Sequence, residues 1–185
     1  MKRFITFCFL LSCLHVGAQE DSSYTAMLQT TEEVQLGDSL QIDAVQWKLR
    51  RLDSVDVKKW FSPILGTTTN NRLKNRGYYL GGKFTTNKNF DLLVLLEEKK
   101  KKDTSNSAVQ VIYFITTKKD GKFIASLEVA VTGVKKKTTY NTTSWLYRDF
   151  KILKDSEFII NEKPFNDLAV YKISGGGRFI LYPNY

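Results

Sequence analysis

The sequence predicts an α+β fold: a predominantly antiparallel β meander of about seven or eight strands with a short N-terminal helical segment packed on it. Three observations predict it. Apolar runs of strand length recur from residue 78 to the C-terminus, most of them joined by short polar turns. A hairpin over 109–131 carries a strict two-residue period around Lys118-Lys119-Asp120-Gly121. Helical spacing is confined to residues 37–65, so strands do not alternate with helices as a parallel sheet requires.

Residues 1–18 read as an export signal. Lys2 and Arg3 form a positive start, and Phe4 to Leu14 is apolar but too short to span a bilayer. Val16-Gly17-Ala18 places cleavage after Ala18. The alternatives are a lipoprotein signal at Leu10-Leu11-Ser12-Cys13, in which Leu11 fits poorly, and an uncleaved anchor. The segment MKRFITFCFLLSCLHVGAQ resembles export signals of Bacteroidetes-type bacteria, where cleavage before Gln is common.

Cleavage removes both cysteines, Cys8 and Cys13, and the single histidine, His15. No disulfide can then form, so the core alone must hold the chain together. A chain of this length suits one domain burying about two-thirds of its unfolded surface. Only Lys2 and Arg3 leave with the signal, so the net charge of +9 belongs mostly to the domain.

Residues 19–36 are polar without a clear period and read as a flexible N-terminal arm. Residues 37–185 read as the single α+β domain. Asp38 with Gln41 suggests a capping box, and Ile42, Val45, Leu49 and Leu52 follow at helical spacing. Val45, Trp47 and Leu49 also alternate, which leaves a strand as the alternative. After a break at Asp53-Ser54, Val55 to Phe61 reads as helical, ending before Pro63. Trp60, Phe61, Ile64 and Leu65 are expected to plug the sheet, with an aromatic ligand platform as the alternative.

Residues 66–77 (GTTTNNRLKNRG) have loop composition. The strand over 78–84 is interrupted by Gly81-Gly82, which signals a bulge or a close backbone approach. Residues 90–98 (FDLLVLLEE) are apolar on both faces and should form an interior strand. Residues 99–108 read as an exposed loop.

In the hairpin, Asp120-Gly121 suggests a two-residue type I′ turn. That register sets Phe114 opposite Leu127, Ile112 opposite Val129 and Tyr113 opposite Glu128. A three-residue loop would set Phe114 against Ser126. The inner face should therefore carry Ile112, Phe114, Leu127 and Val129. Residues 133–143 form a second basic turn, and strands follow over 145–153 and 157–161. A last hairpin, 168–173 with 178–182, closes around Gly175-Gly176-Gly177.

Once the signal is removed, the missing imidazole and thiol exclude Ser-His-Asp and cysteine nucleophiles and the usual zinc ligand sets. No GxSxG, Walker-type or GxGxxG motif occurs, so no cofactor is expected. Asp91, Glu128 and Asp149 lie in strands where two could meet for acid–base work; each could equally face water or pair with a neighbour. No calcium-loop pattern is present.

The remaining candidates are basic runs. Lys99, Lys100, Lys101 and Lys102 should share one end of a meander with Lys135, Lys136 and Lys137, while Lys118-Lys119 sits at the other. The shared end is a candidate patch for an anionic envelope component or an acidic protein, not for nucleic acid. The alternative is that turn lysines keep the protein soluble and blunt its edges.

Lys118 to Lys122 (KKDGK) and Gly177 to Phe179 (GRF), after a short helical start, resemble the pattern of small exported proteins of unknown function in Bacteroidetes-type bacteria. The resemblance implies location in the periplasm, at the cell surface or in the medium, and it carries no site residues. Asp38-Ser39-Leu40 and Asp53-Ser54-Val55 also resemble the O-glycosylation signal of such bacteria, though both read more simply as helix caps. Asn141-Thr142-Thr143 is a glycosylation sequon only in a eukaryotic cell. The expectation is a non-enzymatic binding or interaction domain of the bacterial cell envelope. A carboxylate-based glycan hydrolase and a carrier of a small apolar ligand are the alternatives.

Overall fold

The computed structural model describes residues 22–43, 47, 50–84, 88–100, 109–135, 138–160 and 162–183. The signal segment, with its cleavage point and Cys13, lies outside the described residues. In chain order the elements are α1 (Ser22–Gln29), β1 (Ser39–Ile42), β2 (Arg50–Leu52), α2 (Ser54–Leu65), a 3-10 turn (Gly66–Thr68) and α3 (Thr69–Asn75). Then follow β3 (Arg76–Phe84), β4 (Asp91–Lys99), β5 (Gln110–Thr117), β6 (Phe123–Lys135), β7 (Thr138–Tyr147), β8 (Lys151–Ile160), β9 (Lys163–Ile173) and β10 (Phe179–Tyr182).

Strands β2 to β10 lie side by side in chain order, each antiparallel to the next, and β1 pairs with β7. The expected antiparallel meander is present, with ten strands among the described residues instead of seven or eight, and the helical segment packed on it lies not at the N-terminus but over 54–75, after β1 and β2.

β4 is apolar on both faces and is covered twice, as an interior strand must be. On one face Leu92, Val94 and Leu96 join Ile112, Phe114, Val129, Leu146, Ile152 and Ile173 in one buried cluster. Residues from both halves of the sheet meet there, so the sheet curls around this core. On the other face Leu93 and Leu95 meet Val57, Trp60, Phe61, Ile64 and Leu65 of α2. The expected plug is in place.

β7 changes partner along its length. Thr138 to Thr142 pair with β6, and Ser144 to Tyr147 pair with β1. The Ser144 hydroxyl still reaches back to β6, donating to the Val129 carbonyl at 2.5 Å.

The hairpin keeps its expected inner face by a different route. The turn is a three-residue loop. Lys118 N–H donates to Lys122 O, Gly121 N–H donates to Lys118 O, and Gly121 sits at φ 86°. That loop alone would put Phe114 against Ser126. A bulge at Ile124 absorbs the extra residue, and Phe114 meets Leu127 while Tyr113 meets Glu128. A second bulge at Val129 sets Ile112 opposite Ala130 instead of Val129. Tertiary contacts chose this turn: a Cβ at Gly121 would lie 2.7 Å from the Tyr24 ring and 2.8 Å from the Trp60 ring.

Four further expectations are corrected. Residues 38–52 form β1 and β2 where described, not a helix, because their backbone groups find partners on β7 and β3. Asp38 therefore caps nothing helical, whereas Asp53 does: its Oδ1 accepts from the N–H of Val55 and Asp56, both at 2.8 Å. α2 does not stop before Pro63. It kinks at Phe61 (φ −124°, ψ 16°) and continues, because Ile64 and Leu65 beyond the proline are buried. The expected loop over 66–77 is a 3-10 turn and α3, tied to the sheet by Arg72. The segment read as a mobile arm carries α1, in which Tyr24 and Met27 are buried.

Gly81-Gly82 is both a bulge and a close approach. The β3–β4 register shifts there, and a Cβ on Gly81 would lie 2.8 Å from the Trp47 carbonyl and 2.9 Å from its Cβ. Backbone cannot yield as a side chain can. Gly81→Ala is expected to cost about 1–3 kcal/mol in urea unfolding; an unchanged midpoint would show that Trp47 is free to move aside.

Candidate functional site

Counting along the helix-facing side of β4, Leu93 and Leu95 are followed by Glu97. The apolar row thus ends in a carboxylate that is 2% exposed. A charge so buried requires partners, and two guanidiniums supply them. Arg72 of α3 makes a two-pronged ion pair with Glu97, its Nε 3.3 Å from Oε1 and its Nη2 against Oε2. Arg76 of β3 brings its Nε to 3.4 Å from Oε1.

The Tyr113 hydroxyl accepts from Arg72 Nη2 at 3.1 Å and donates to Glu97 Oε2 at 3.4 Å. Arg72 also donates to the Ile64 carbonyl, tying α3 to the end of α2. The Tyr78 hydroxyl lies buried close to Arg72.

Burial lowers the Arg72 pKa, but Glu97 beside it more than compensates, and the net shift is upward. Burial, reinforced by the Glu97 charge, pushes the Tyr78 and Tyr113 hydroxyls above the ordinary tyrosine value. Tyr24 is pushed up too, by burial first, then opposed by its Thr117 hydrogen bond and helped by Asp91. Above about pH 10 the unfolded chain releases these three protons while the folded chain holds them, so stability falls as pH rises. The urea midpoint is expected to drop steeply above about pH 10, and less steeply in Tyr78→Phe. A Tyr78→Phe profile that overlays the parent would exclude Tyr78 as a source of the effect.

Beside Arg76 a cleft of about 420 Å³ opens between β2, the N-terminus of α2 and the start of β3. Arg51, Arg76 and Lys100 are among the residues on its walls, with Asp53 and Ser54 from α2 and Tyr78 from β3. Lys100 Nζ donates to the Leu73 and Lys74 carbonyls at 3.1 and 2.9 Å, closing the C-terminus of α3.

The lysines singled out from the sequence fall as follows. Lys99 pairs across the ladder with Arg76, and its N–H donates to Val109 O at 2.8 Å. Val109 N–H donates in turn to Thr132 O of β6, so the ends of β4 and β6 share one end of the sheet. Lys135 closes β6 there, paired with Thr138. Lys101, Lys102, Lys136 and Lys137 lie outside the described residues.

Lys119 belongs to the opposite end. Its Nζ lies 2.5 Å from Asp91 Oδ1 at the start of β4. Tyr24 donates to Asp91 Oδ2 at 3.2 Å and shares a 2.5 Å hydrogen bond with Thr117, which docks α1 on the sheet.

The three carboxylates expected in strands take separate neighbours, and Asp149 lies not in a strand but in the turn between β7 and β8. Asp91 pairs with Lys119, Glu128 lies 4.0 Å from Lys154, and Asp149 accepts the Lys151 N–H at 3.2 Å. Glu97, Arg72 and Arg76 escaped notice in the sequence. The available signal was the i, i+4 spacing of the arginines and the odd-numbered face Leu93-Leu95-Glu97.

Among the described residues no three His, Cys, Asp or Glu side chains are grouped to hold a metal ion. Among them no helix is long and apolar enough to cross a membrane. Comparison with protein-family models, with curated proteins and with solved structures gives no match.

Proposed function

We propose that the chain is an exported, non-enzymatic binding domain of the bacterial cell envelope that engages an anionic component or acidic protein through one end of its sheet. The observation that carries this reading is the gathering of Arg51, Arg76 and Lys100 around an open cleft, with Lys99 paired to Arg76 at the end of β4. Positive charge concentrated on one face steers anionic partners and gives binding that salt weakens.

The separate partners of Asp91, Glu128 and Asp149 support a non-catalytic role over a paired-carboxylate hydrolase. The space between sheet and helix, where an apolar ligand would sit, holds Trp60, Phe61, Ile64 and Leu65.

The test is capture from envelope extract with the chain beginning at Gln19, repeated at low and high salt. An acidic component retained at low salt and released at high salt is the expected result. No retention at either salt, or retention indifferent to salt, removes the reading.

A further inference from the structure

We infer that the outer face of β7 to β10 is the contact surface of a two-fold dimer, and that its occupant is a second copy of this chain.

The outer face of the sheet, opposite the sheet core, is unevenly covered. The apolar cluster beneath the helices draws on β2 to β6, and β7 to β10 have no member in it. On β7 to β10 the outward side chains fall into rows set by the strand registers. One row, Trp145, Leu153, Val170 and Tyr182, is apolar across all four strands. Tyr182 is 46% exposed, and Ile180 and Leu168 in the adjoining rows are 51% and 50% exposed. Contiguous apolar surface of this kind marks a contact site.

Charge decides the occupant. On one side of the apolar row lie Lys151 and Lys172, which are cross-strand neighbours. On the other side lies Asp155, opposite Leu168, with Glu157 one row further out. A face so divided is complementary to itself. A two-fold axis running along the apolar row sets that row against its own copy, as an isologous contact requires. The same axis sets Lys151 of each copy over Asp155 of the other. A partner of uniform charge would meet one repulsive side.

The area fits a reversible pair. Strands about 4.8 Å apart and rows about 7 Å apart give about 500 Å² of flat sheet on each copy. The total, about 1,000 Å², stands at the threshold of a specific interface, so dissociation in the micromolar range is expected. The basic cleft is lined from β2, α2 and β3, outside this face, so dimer formation and anion binding are separable.

The experiment is sedimentation equilibrium of the chain from Gln19, from low micromolar to submillimolar concentration. A monomer–dimer equilibrium is the expected result. Asp155→Lys, or Lys151→Asp, creates two like-charge contacts across the axis and should weaken the dimer about tenfold. Combining Lys151→Asp with Asp155→Lys restores opposite charges and should recover most of the affinity. Val55→Lys, at a 68% exposed position on α2, should change nothing. A monomer at every concentration would overturn the inference. So would a dimer indifferent to the single changes, or a double variant no tighter than the single ones.

Discussion

Glu97→Ala is expected to lower the unfolding free energy by about 3–5 kcal/mol, among the largest effects of any single substitution in this chain. The size follows from what is left behind. Arg72 and Arg76 would remain packed against Tyr78 and Tyr113 with no carboxylate between them. An uncompensated buried charge costs more than the pair itself contributes. Arg72 keeps 25% of its side chain in solvent, which argues for the lower half of that range.

The Arg72 ion pair with Glu97 also joins α3 to β4, so the loss should reach the helical layer, visible as reduced far-UV helix signal before global unfolding. Glu97→Gln keeps an acceptor and should cost less. The triple change Glu97→Leu, Arg72→Leu, Arg76→Leu should recover part of the loss, as apolar replacements of buried ion clusters often do. Urea unfolding of the three variants checks the ordering. If Glu97→Ala costs under about 1 kcal/mol, the cluster is not what holds α3 on the sheet.

Phe114→Ala should cost about 3–5 kcal/mol. Phe114 is fully buried in the core that the curled sheet surrounds, among residues from β3, β4, β6 and β7. Its ring meets Phe84 edge-on, with centroids 6.0 Å apart and planes at 89°. Such pairs add about 0.5–1.5 kcal/mol to the burial itself. The surrounding backbone is hydrogen-bonded on both sides, to β4 and β6, so the void cannot collapse cheaply. Leu127→Ala, opposite it but only partly buried, should cost clearly less. Equal losses at the two positions would mean that Phe114 is not at the centre of the core.

Much of the fold was legible because side-chain period is a local property. Alternation in β6 identified Leu127 and Val129 as the inner face, the register expected for the turn extended it to Ile112 and Phe114, and all four join the sheet core. The unbroken apolar run of β4 identified the strand that is covered twice. Gly81-Gly82 announced the bulge and the close approach together. The candidate site was less legible. Lys99 and Lys100 were marked by their charge run, and they stand where β4 ends. The buried Glu97 was hidden, because a carboxylate at the end of an apolar strand looks like a solvent-exposed cap until the helix opposite it is known.

What the amino-acid order determined alone is the antiparallel meander, its dry faces and the plug of aromatic and aliphatic residues on α2. These follow from local spacing and composition. What tertiary structure decided is where local signals are balanced or overruled. Residues 38–52 carry both periods, and hydrogen-bond partners on β7 and β3 chose the strand for Ser39–Ile42 and Arg50–Leu52. Asp120-Gly121 suits a two-residue turn, and Tyr24 with Trp60 packed against Gly121 favoured a three-residue loop whose slip a bulge repairs. Pro63 should end a helix, and the burial of Ile64 and Leu65 carried the chain past it. In each case the contacts that tipped the balance come from residues distant in the chain, which no local pattern records.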